Sequence, residues 1–575
     1  MAKPFSAVAS ALCLVLLAAC TTKHYRKSAD KEVASIIAAK TPRVPNMETN
    51  FTIEVTNKLS FTNFPIYNKA EEAFGVESDL EKGARIVSLD QALEIAVKFS
   101  RNYQNEKESL YLDALTLTLE RHRYTPIFSA SAKVADAYTK SELDNGIAKI
   151  TGEGHALAVG SLASMDMLLL SGGRIATDFT YDFLRYFTGN SRAVTSSRLA
   201  GTLTQPLLRG AGYKIAIENL TQAEREMLYS LRDFTQFRKE FSVNVASQYY
   251  QVLQNRDSVR NSWRGLENFR ENVSRERAFF DEGLRSQASL DQLKQAELQT
   301  ESKWISAVRT YRKSLDQFKF LLGLGTEEKI VLADSELEGL KIHHPNLSME
   351  EAAKVAMVSR LDLYKQRDQL EDAQRHIKVA ANGLLPKVDL IFDANLTTET
   401  TRITGLPKID STTRNWSAGA AVDLPLDRKL ERNTYRTKLI AYERAKRAVA
   451  SKEDEVKLEI ADDWRNLDQA KRNYQISELG VNIAERRVEE QQLRQELGRG
   501  TSRDLVDAQN DLIASKDQRT AALVDHTIAR LKFYRDMGVL WIKDNGQWDE
   551  NPTDKLKPRT LKQARAAKKA RKPKN

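Results

Sequence analysis

The stretch KVDLIFDANL, Lys387–Leu396, decides the fold class, because its apolar residues recur at every second position. A β-strand turns successive side chains to opposite faces, so Val388, Leu390 and Phe392 share one face and polar residues share the other. WSAGAAVDL, Trp416–Leu424, has the same period. We therefore predict a pair of strands of about ten residues, each with one apolar and one polar face.

The same alternation occurs earlier in the chain, clearly in RIATDFTYDF (Arg174–Phe183) and more weakly in residues 197–204 and 128–138. Such strands are typical of transmembrane β-barrels, although a soluble sandwich with one wet face has the same period. The chain offers about four to six of them, fewer than the eight of the smallest membrane barrels. Because open sheet edges do not persist in lipid, a barrel requires several copies of the chain.

Long helices are predicted on either side of the strands. None of the 13 prolines lies within residues 207–344 or 426–551, and both intervals are rich in helix-forming residues. A heptad seam of apolar residues runs from Ile217 to Val273. A continuous helix from about 214 to 282 would be roughly 100 Å long. Such a helix suits either a coiled-coil fibre or a large tube of similar helices.

The chain also repeats itself. SLDQALEIAVKFS (Ser88–Ser100) matches SMEEAAKVAMVSR (Ser348–Arg360) at an offset of 260, and Pro126 maps to Pro386 at the same offset. The next landmark prolines, 206 and 425, differ by 219, so the first copy has 260 − 219 = 41 extra residues between its prolines. These extra residues include His155–Leu170, which we predict to be an additional strand or an extended loop.

These landmarks divide the chain into five parts. Residues 1–19 are a predicted signal peptide, 20–85 an N-terminal segment, 86–340 the first repeat, 341–540 the second repeat and 541–575 a C-terminal extension. Within the first repeat we expect strands at about 127–205 and long helices at about 214–322. Within the second we expect strands at about 387–425 and long helices at about 428–538.

The N-terminus has the features of an exported lipoprotein. The apolar run Phe5–Ala19 is too short to span a bilayer and ends in Leu-Ala-Ala-Cys, which resembles the bacterial lipobox. Cys20 would then be the lipidated first residue of the mature chain, and Thr21, in place of an Asp, favours the outer membrane. An ordinary signal peptide with a chance cysteine is the alternative. Because Cys13 lies inside the signal, the mature chain has no disulfide.

The net charge of +10 comes from one end of the chain: Lys555–Asn575 contains ten Lys or Arg and no acid. This tail is predicted to be either disordered or in contact with anionic envelope groups, and export makes nucleic acid an unsuitable partner. His343 and His344 stand without a cysteine or a clear acidic cluster, so no metal site is predicted. No catalytic motif is found, and we expect neither enzymatic activity nor a cofactor.

Taken together, the lipobox, the two repeats, TQPLLRGAG (Thr204–Gly212) and GTSRDLVDAQNDL (Gly500–Leu512) resemble the TolC-like outer-membrane efflux proteins. The resemblance implies a mainly α fold with a β membrane part, shared by a homotrimer. Each subunit would give four strands to a twelve-stranded barrel in outer-membrane lipid and long helices to a periplasmic α-barrel. An inner-membrane transporter and a periplasmic adaptor protein would be the partners.

The resemblance also implies a gate at the periplasmic tip. Asp504 and Asp507 match paired acids of the family there; spaced three apart, they share one helix face, and three copies would form a ring that favours cations. Alternatively, Thr501 or Ser502 caps the helix and the acids stabilise its dipole. Asp291 is the matching acid of the first repeat, after a turn that we expect to be two or three residues longer.

Two departures from the family occur at this tip. The Tyr and Arg that help to lock the tip in related proteins fall on Gln495 and Gly500. The predicted function is a passive export duct of a tripartite efflux pump. A duct for type I protein secretion remains an alternative, and a lipid-anchored coiled-coil scaffold is an alternative of another class. The strand segments separate these classes, because a scaffold does not need two-faced strands.

Overall fold

The computed structural model describes residues 22–48, 51–54, 64–79, 81–144, 149–187, 193–400, 413–497 and 499–549. Cys20, the signal peptide and the basic tail lie outside these described residues. The described chain forms two compact units. The first consists of residues 22–35, Leu112–Tyr229 and Gln366–Val449; the second consists of Ile36–Tyr111, Ser230–Lys365 and residues 450–549.

Helices dominate the chain. In chain order they are α1 Thr22–Lys40, α2 Leu89–Phe99, α3 Arg101–His122, α4 Tyr213–Ala216, α5 Glu218–Asp281, α6 Gln287–Leu322, α7 Ser335–Glu338, α8 Met349–Ser359, α9 Leu361–Gly383, α10 Lys429–Glu496 and α11 Ser502–Asp536. The predicted seam is buried along much of α5, for example at Leu231, Val245 and Val259. The helix predicted from about 214 is interrupted, because Ile217 leaves helical geometry (φ −95°, ψ 9°) between α4 and α5. Among the described residues, none of the helices combines the length and apolar character needed to cross a bilayer.

The strands form two sheets. They are β1 Ile66–Tyr67, β2 Ala84–Val87, β3 Ile127–Asp144, β4 Lys149–Leu168, β5 Arg174–Tyr186, β6 Ala193–Pro206, β7 Ile330–Leu332, β8 Lys387–Thr400 and β9 Arg414–Asp423. The small sheet has the order β1-β2-β7 and lies in the second unit. The large sheet has the order β3-β4-β5-β6-β8-β9, is antiparallel throughout and lies in the first unit.

The large sheet corrects one expectation. The resemblance implies four strands per chain, whereas six strands are paired in the described part of this one. The 41 extra residues of the first repeat account for the difference, because they lengthen the segment into the hairpin β3–β4. Residues 155–170 are therefore mostly strand, within β4, rather than a loop. Both strands of the hairpin continue past the end of β5, whose pairing with β4 stops at Ala156.

The helix starts show the two repeats at the level of single hydrogen bonds. Ser88 caps α2 and Ser348 caps α8, each accepting from the backbone N–H three residues later. The side chains of Gln91 and Glu351 in turn accept from the backbone N–H of the cap serine, which completes a capping box in both repeats. The predicted fold class, mainly α with a β part in two tandem repeats, is confirmed.

A buried charge cluster helps to hold the second unit together. The Arg256 side chain is almost fully buried; its Nη2 lies 2.6 Å from Glu81 Oε2 and its Nη1 lies 2.8 Å from Asp334 Oδ1. The Tyr311 hydroxyl donates to Glu81 Oε1 at 2.6 Å. Burial raises the pKa of Glu81, and the charge of Arg256 opposes that rise only in part. The cluster thereby ties the segment before α2 to α5 and α6.

Candidate functional site

One face of the large sheet is apolar across all six strands. The register places Ile175, Phe179 and Phe183 of β5 opposite residues of β4 and β6 on the same face, and it carries that face outward to both edges. The predicted alternation is therefore confirmed. The large apolar residues of this face, tyrosines aside, are Phe128, Val134, Leu157, Val159, Met165, Met167, Ile175, Phe179, Phe183, Leu199, Leu203, Val388, Leu390, Phe392, Leu396, Trp416 and Val422.

The opposite face is largely polar and forms cross-strand hydrogen bonds. Thr202 Oγ1 donates to Asp393 Oδ1 at 2.7 Å, and the Ser129 and Ser164 hydroxyls lie 2.6 Å apart. Arg174 Nε donates to Asp166 Oδ1 at 2.9 Å. A sheet with one apolar and one hydrogen-bonded polar face can separate a lipid phase from water.

The sheet ends at β3 and at β9, each paired on one side only among the described strands. The most exposed large apolar side chains of the sheet lie on these two edges: Phe128 is 75% and Val134 67% exposed on β3, and Trp416 is 72% and Val422 59% exposed on β9. Open edges with exposed aromatic residues do not suit a water-soluble monomer.

A second candidate site lies at the turn between α10 and α11, in the second unit. Thr501 caps α11: its Oγ1 accepts from the Asp504 N–H at 3.2 Å and donates to Asp504 Oδ2 at 2.7 Å. Arg503 Nε lies 4.0 Å from Asp507 Oδ2, and both acids are exposed. The predicted cap is thus present, while both carboxylates remain on the exposed side of α11, opposite the buried Leu505.

The turn of the first repeat corrects another expectation. Five residues, 282–286, separate α5 from α6, and five residues, 497–501, separate α10 from α11. The first turn is therefore not longer, because Ser286 caps α6 where Thr501 caps α11. Asp291 lies five residues after its cap, whereas Asp504 and Asp507 lie three and six residues after theirs. It consequently occupies a different angular position on its helix, where it accepts from Gln287 Nε2 at 2.8 Å.

A buried carboxylate joins the two turns. Glu276 of α5 is 1% exposed; it accepts from Gln495 Nε2 at 3.2 Å and from Ser502 Oγ at 3.5 Å. Arg285 donates from Nη2 to the Gln495 carbonyl at 2.8 Å, and its Nε lies 3.9 Å from Glu276 Oε1. Gln495 was singled out from the sequence, but Glu276 and Arg285 were missed. Nothing in one charge-rich helix distinguishes a buried Glu from its exposed neighbours.

Gly500 is explained by the same turn. A Cβ atom at this position would lie 2.8 Å from the Gln495 backbone N and 3.1 Å from the Arg494 carbonyl carbon. The Gly500 N–H donates to the Arg494 carbonyl at 2.9 Å, which closes the end of α10. This backbone has no room for a side chain, so a locking Arg cannot replace Gly500 without a shift of the turn.

Across the part of the chain that the structure covers, no group of three or more His, Cys, Asp or Glu side chains is arranged to hold a metal ion. His344 lies beside a histidine of α11, His526, with ring centroids 6.1 Å apart. Burial lowers the pKa of His526 to about 4, aided by the charge of Arg530. The sequence prediction of no metal site stays a prediction.

Comparison with known proteins identifies the fold. Residues 353–539 match the protein family described as Outer membrane efflux protein. No curated protein sequence matches the chain.

Three solved structures illustrate the similarity. The outer membrane channel CmeC of Campylobacter jejuni is 12% identical with a TM-score of 0.58, over 88% of this chain and 97% of that one. The outer membrane channel MtrE of Neisseria gonorrhoeae is 12% identical with a TM-score of 0.55, over 86% and 97%. The outer membrane protein VceC of Vibrio cholerae is 14% identical with a TM-score of 0.56, over 78% and 96%.

The structural similarity extends well beyond residues 353–539, because it covers 78–88% of this chain. At identities of 12–14%, that similarity establishes the fold alone. The proteins matched are described as channels and outer membrane proteins, not as enzymes. Residues 353–539 are thus similar to the outer membrane efflux protein family, and the chain has the fold of these solved outer-membrane channels.

Proposed function

We propose that this protein is the outer-membrane channel of a tripartite efflux pump, a passive conduit from the periplasm to the exterior. Three copies form the channel, with long helices extending into the periplasm. A periplasmic adaptor protein and an inner-membrane transporter deliver the cargo. The observation that carries the proposal is the six-stranded sheet with one apolar and one polar face and two open edges.

The two faces fit lipid on one side and water on the other. Phe179 and Phe392 belong to the apolar face, whereas Asp178 and Asp393 belong to the polar one. In a soluble sandwich the apolar face would be covered by a second sheet or by helices, yet Phe392 and Trp416 are exposed. A coiled-coil scaffold has no use for such a sheet, so the channel is the better reading. Type I secretion would use the same conduit and differs only in its transporter and cargo.

Delivery and anchoring follow from the N-terminus. Cleavage before Cys20 and acylation of its thiol and new amino group would add one lipid anchor per copy. The barrel itself would hold the assembly in the outer membrane, so the lipid mainly directs delivery. Lys555–Asn575 carries the positive charge that would contact anionic groups of the envelope.

We also propose that the α10–α11 turn lines the periplasmic end of the conduit, with Asp504 and Asp507 as its charged ring. Their exposure and common helix face support this role. Asp291 on α6 would add a further acid near the same end. Thr501 caps the helix and donates to Asp504 Oδ2, and the Asp504 side chain is still exposed, which is compatible with a role toward ions.

The channel is tested with detergent-extracted full-length protein. We expect the mass of three chains in solution and ion conductance in planar bilayers. The Cys20→Ser variant should still embed in membranes once assembled, because a barrel needs no acyl chain. A monomer without conductance, fully soluble after Cys20→Ser, would contradict the proposal and favour the scaffold.

The charged ring is tested by the reversal potential under a salt gradient. The double variant Asp504→Asn with Asp507→Asn should lower the preference for cations, because Asn keeps the shape and removes the charge. Asp511→Asn is the matched control, since Asp511 is exposed on the same helix but pairs with Arg487. Unchanged selectivity in the double variant would leave Asp504 and Asp507 only the role of stabilising the start of α11, which Thr501 caps.

A further inference from the structure

The large sheet stops at β3 and β9, and both edge strands offer unpaired backbone groups in the described chain. We propose that β9 of one copy pairs antiparallel with β3 of the next, so that three copies close a barrel of eighteen strands. The number of copies rests on the proposed function. The pairing of edges and the six strands per copy rest on this sheet.

Strand direction permits this closure. The six strands alternate in direction through five antiparallel pairings. The first and last strands therefore run in opposite directions, and β9 meets the β3 of an identical neighbour in an antiparallel arrangement. An odd number of strands would have forced a parallel joint. The inserted hairpin adds two strands, so the number of strands per copy stays even and the joint stays antiparallel.

The ends of the two edge strands are offset by six residues along the sheet. Following directly opposed residues across the sheet, Ile127 of β3 is level with Ser417 of β9. From Ser417, β9 continues six residues further, to Asp423. If Asp423 lies opposite Ile127 of the next copy, the register shifts by six residues over six strand-to-strand steps.

This shift can be compared with barrel geometry. A shift of one residue at each strand-to-strand step moves the register by about 3.3 Å along the strand, while neighbouring strands lie about 4.8 Å apart. The ratio of these two distances corresponds to a strand tilt of about 35°. Barrels close with strands tilted by about 35–45°. Pairing the two strand ends, Asp423 with Ile127 of the next copy, would thus give the stagger that a closed ring of such sheets needs.

The same register joins like faces at the joint. With Asp423 opposite Ile127, Trp416 lies opposite Val134 and Val422 opposite Phe128, all on the apolar face. These are the four most exposed large apolar side chains of the two edge strands apart from Tyr138. A register different by one residue would place apolar against polar residues, so the even shift of six is favoured.

An eighteen-stranded barrel would be wider than the resemblance implies. Barrel diameter grows roughly linearly with strand number, so eighteen strands give about 1.5 times the diameter of twelve. The lumen cross-section would then be about twice as large, since it scales with the square of the diameter. The extra hairpin therefore makes the outer exit suitable for bulkier cargo.

Cysteine pairs test the joint. In the proposed register Ser131 lies opposite Gly419, both on the polar face, and a Cβ at Gly419 would meet nothing within 4 Å. Opposed residues of an antiparallel pair have Cα atoms about 4.5–5.5 Å apart, within the range for a disulfide. Oxidation of the Ser131→Cys/Gly419→Cys variant should convert most of the protein to covalent trimers in denaturing gels, and each single variant should give none.

A matched control is a pair of cysteines on the same face of the sheet that are not directly opposite in the proposed register. Ser129 and Ser417 would be four residues out of register, about 13 Å apart, so the Ser129→Cys/Ser417→Cys variant should stay uncross-linked. Stronger cross-linking of this pair would overturn the register. Cross-linking of Thr180→Cys with Gly419→Cys would overturn the strand count, because it makes β5 the edge and places the hairpin outside the ring.

The outcomes also separate this inference from the proposed function. A conducting trimer in which no β3–β9 pair cross-links would overturn the joint and leave the channel intact. A monomer without conductance would overturn both. A conducting trimer cross-linked only through Ser131→Cys and Gly419→Cys supports both.

Discussion

The two repeats of this chain share their helix ends and differ in their strands. Both open on a serine capping box, at Ser88 and at Ser348. The second repeat has two strands in the large sheet, β8 and β9, whereas the first has four, β3 to β6. Helix ends are set by local hydrogen bonds and tolerate little change. A sheet can accept a whole extra hairpin, because the two strands of a hairpin start and finish at the same end of the sheet.

In each repeat the last long helix is followed by a glycine that lies beside the break between the first two helices of the repeat. Gly323 has a φ of +80°, and a Cβ there would lie 2.0 Å from the Phe99 carbonyl oxygen. Gly538 has a φ of +76°, and a Cβ there would lie 3.0 Å from the Ser359 carbonyl. Both repeats thus place a left-handed glycine against a backbone carbonyl, and the contact is closer in the first repeat.

The largest expected effect comes from replacing the glycines that follow the long helices. Gly323→Ala should lower the free energy of unfolding by about 3 kcal/mol, because a left-handed backbone and a carbonyl overlap both oppose the methyl group. Gly538→Ala should lower it by about 2 kcal/mol, since its neighbours are further away. Gly325→Ala is the control, because a Cβ there meets nothing within 4 Å. Equal melting temperatures for all three variants would contradict this account of the helix stops.

A second prediction concerns the contact between the two turns. Glu276→Ala should lower the free energy of unfolding by about 2 kcal/mol, because Gln495, Ser502 and Arg285 would lose a buried acceptor. Arg275→Ala is the matched control, since Arg275 pairs with Glu496 at 3.7 Å on the surface. That pair should contribute less than about 1 kcal/mol. Thermal unfolding compares the two variants, and a larger loss from Arg275→Ala would refute the assignment.

The capping boxes sharpen the comparison further. Ser88→Ala and Ser348→Ala should each lower the free energy of unfolding by about 1 kcal/mol, because each removes the side-chain acceptor of a helix start. If the two boxes act independently, the double variant should lose the sum. Melting curves of the four proteins measure this. A double variant no worse than one single variant would mean that the repeats do not fold as equivalent units.

The smallest expected effect is confined to the second repeat. Burial and the nearby charge of Asp536 raise the pKa of Asp463 to about 7. With the turns aligned, at an offset of 496 − 281 = 215, the first repeat has Gln248 in its place. A raised pKa means that the folded state favours the protonated acid, so stability at this site is complete below about pH 4 and decreases up to about pH 7.

Asp463→Asn should therefore match the wild type near pH 4 and exceed its stability by on the order of 1 kcal/mol above pH 7. Asp462→Asn is the matched control, because Asp462 is an exposed neighbour paired with Arg465. Melting temperatures across this pH range provide the measurement. A variant less stable than wild type at pH 8 would show that the charged carboxylate is stabilising.

Much of the fold was predictable because it follows from short-range patterns. The period of two in Lys387–Leu396 and Arg174–Phe183 predicted the strands, and the serine helix starts revealed the repeats. The extra hairpin was ambiguous because its small residues alternate weakly, and pairing across strands, not local preference, makes residues 155–168 a strand.

The site was harder to predict than the fold. Asp504 and Asp507 carry a local signal, a cap residue followed by acids. Asp291 lies five residues after its cap and so does not match either acid, which becomes clear only once the cap residues of both helices are known. The bonds of Glu276 with Gln495 and Ser502 span more than 200 residues of chain. Long-range polar contacts leave no periodicity in a sequence, so they appear only in the folded chain.

The number of transmembrane strands in the assembled channel tests the central claim most directly. Full-length protein in lipid nanodiscs, imaged by electron cryomicroscopy, should show three copies around one lumen, with β9 of each copy paired to β3 of the next. We predict eighteen strands. Twelve strands with the β3–β4 hairpin outside the ring, or a single chain with both edges open, would contradict the account.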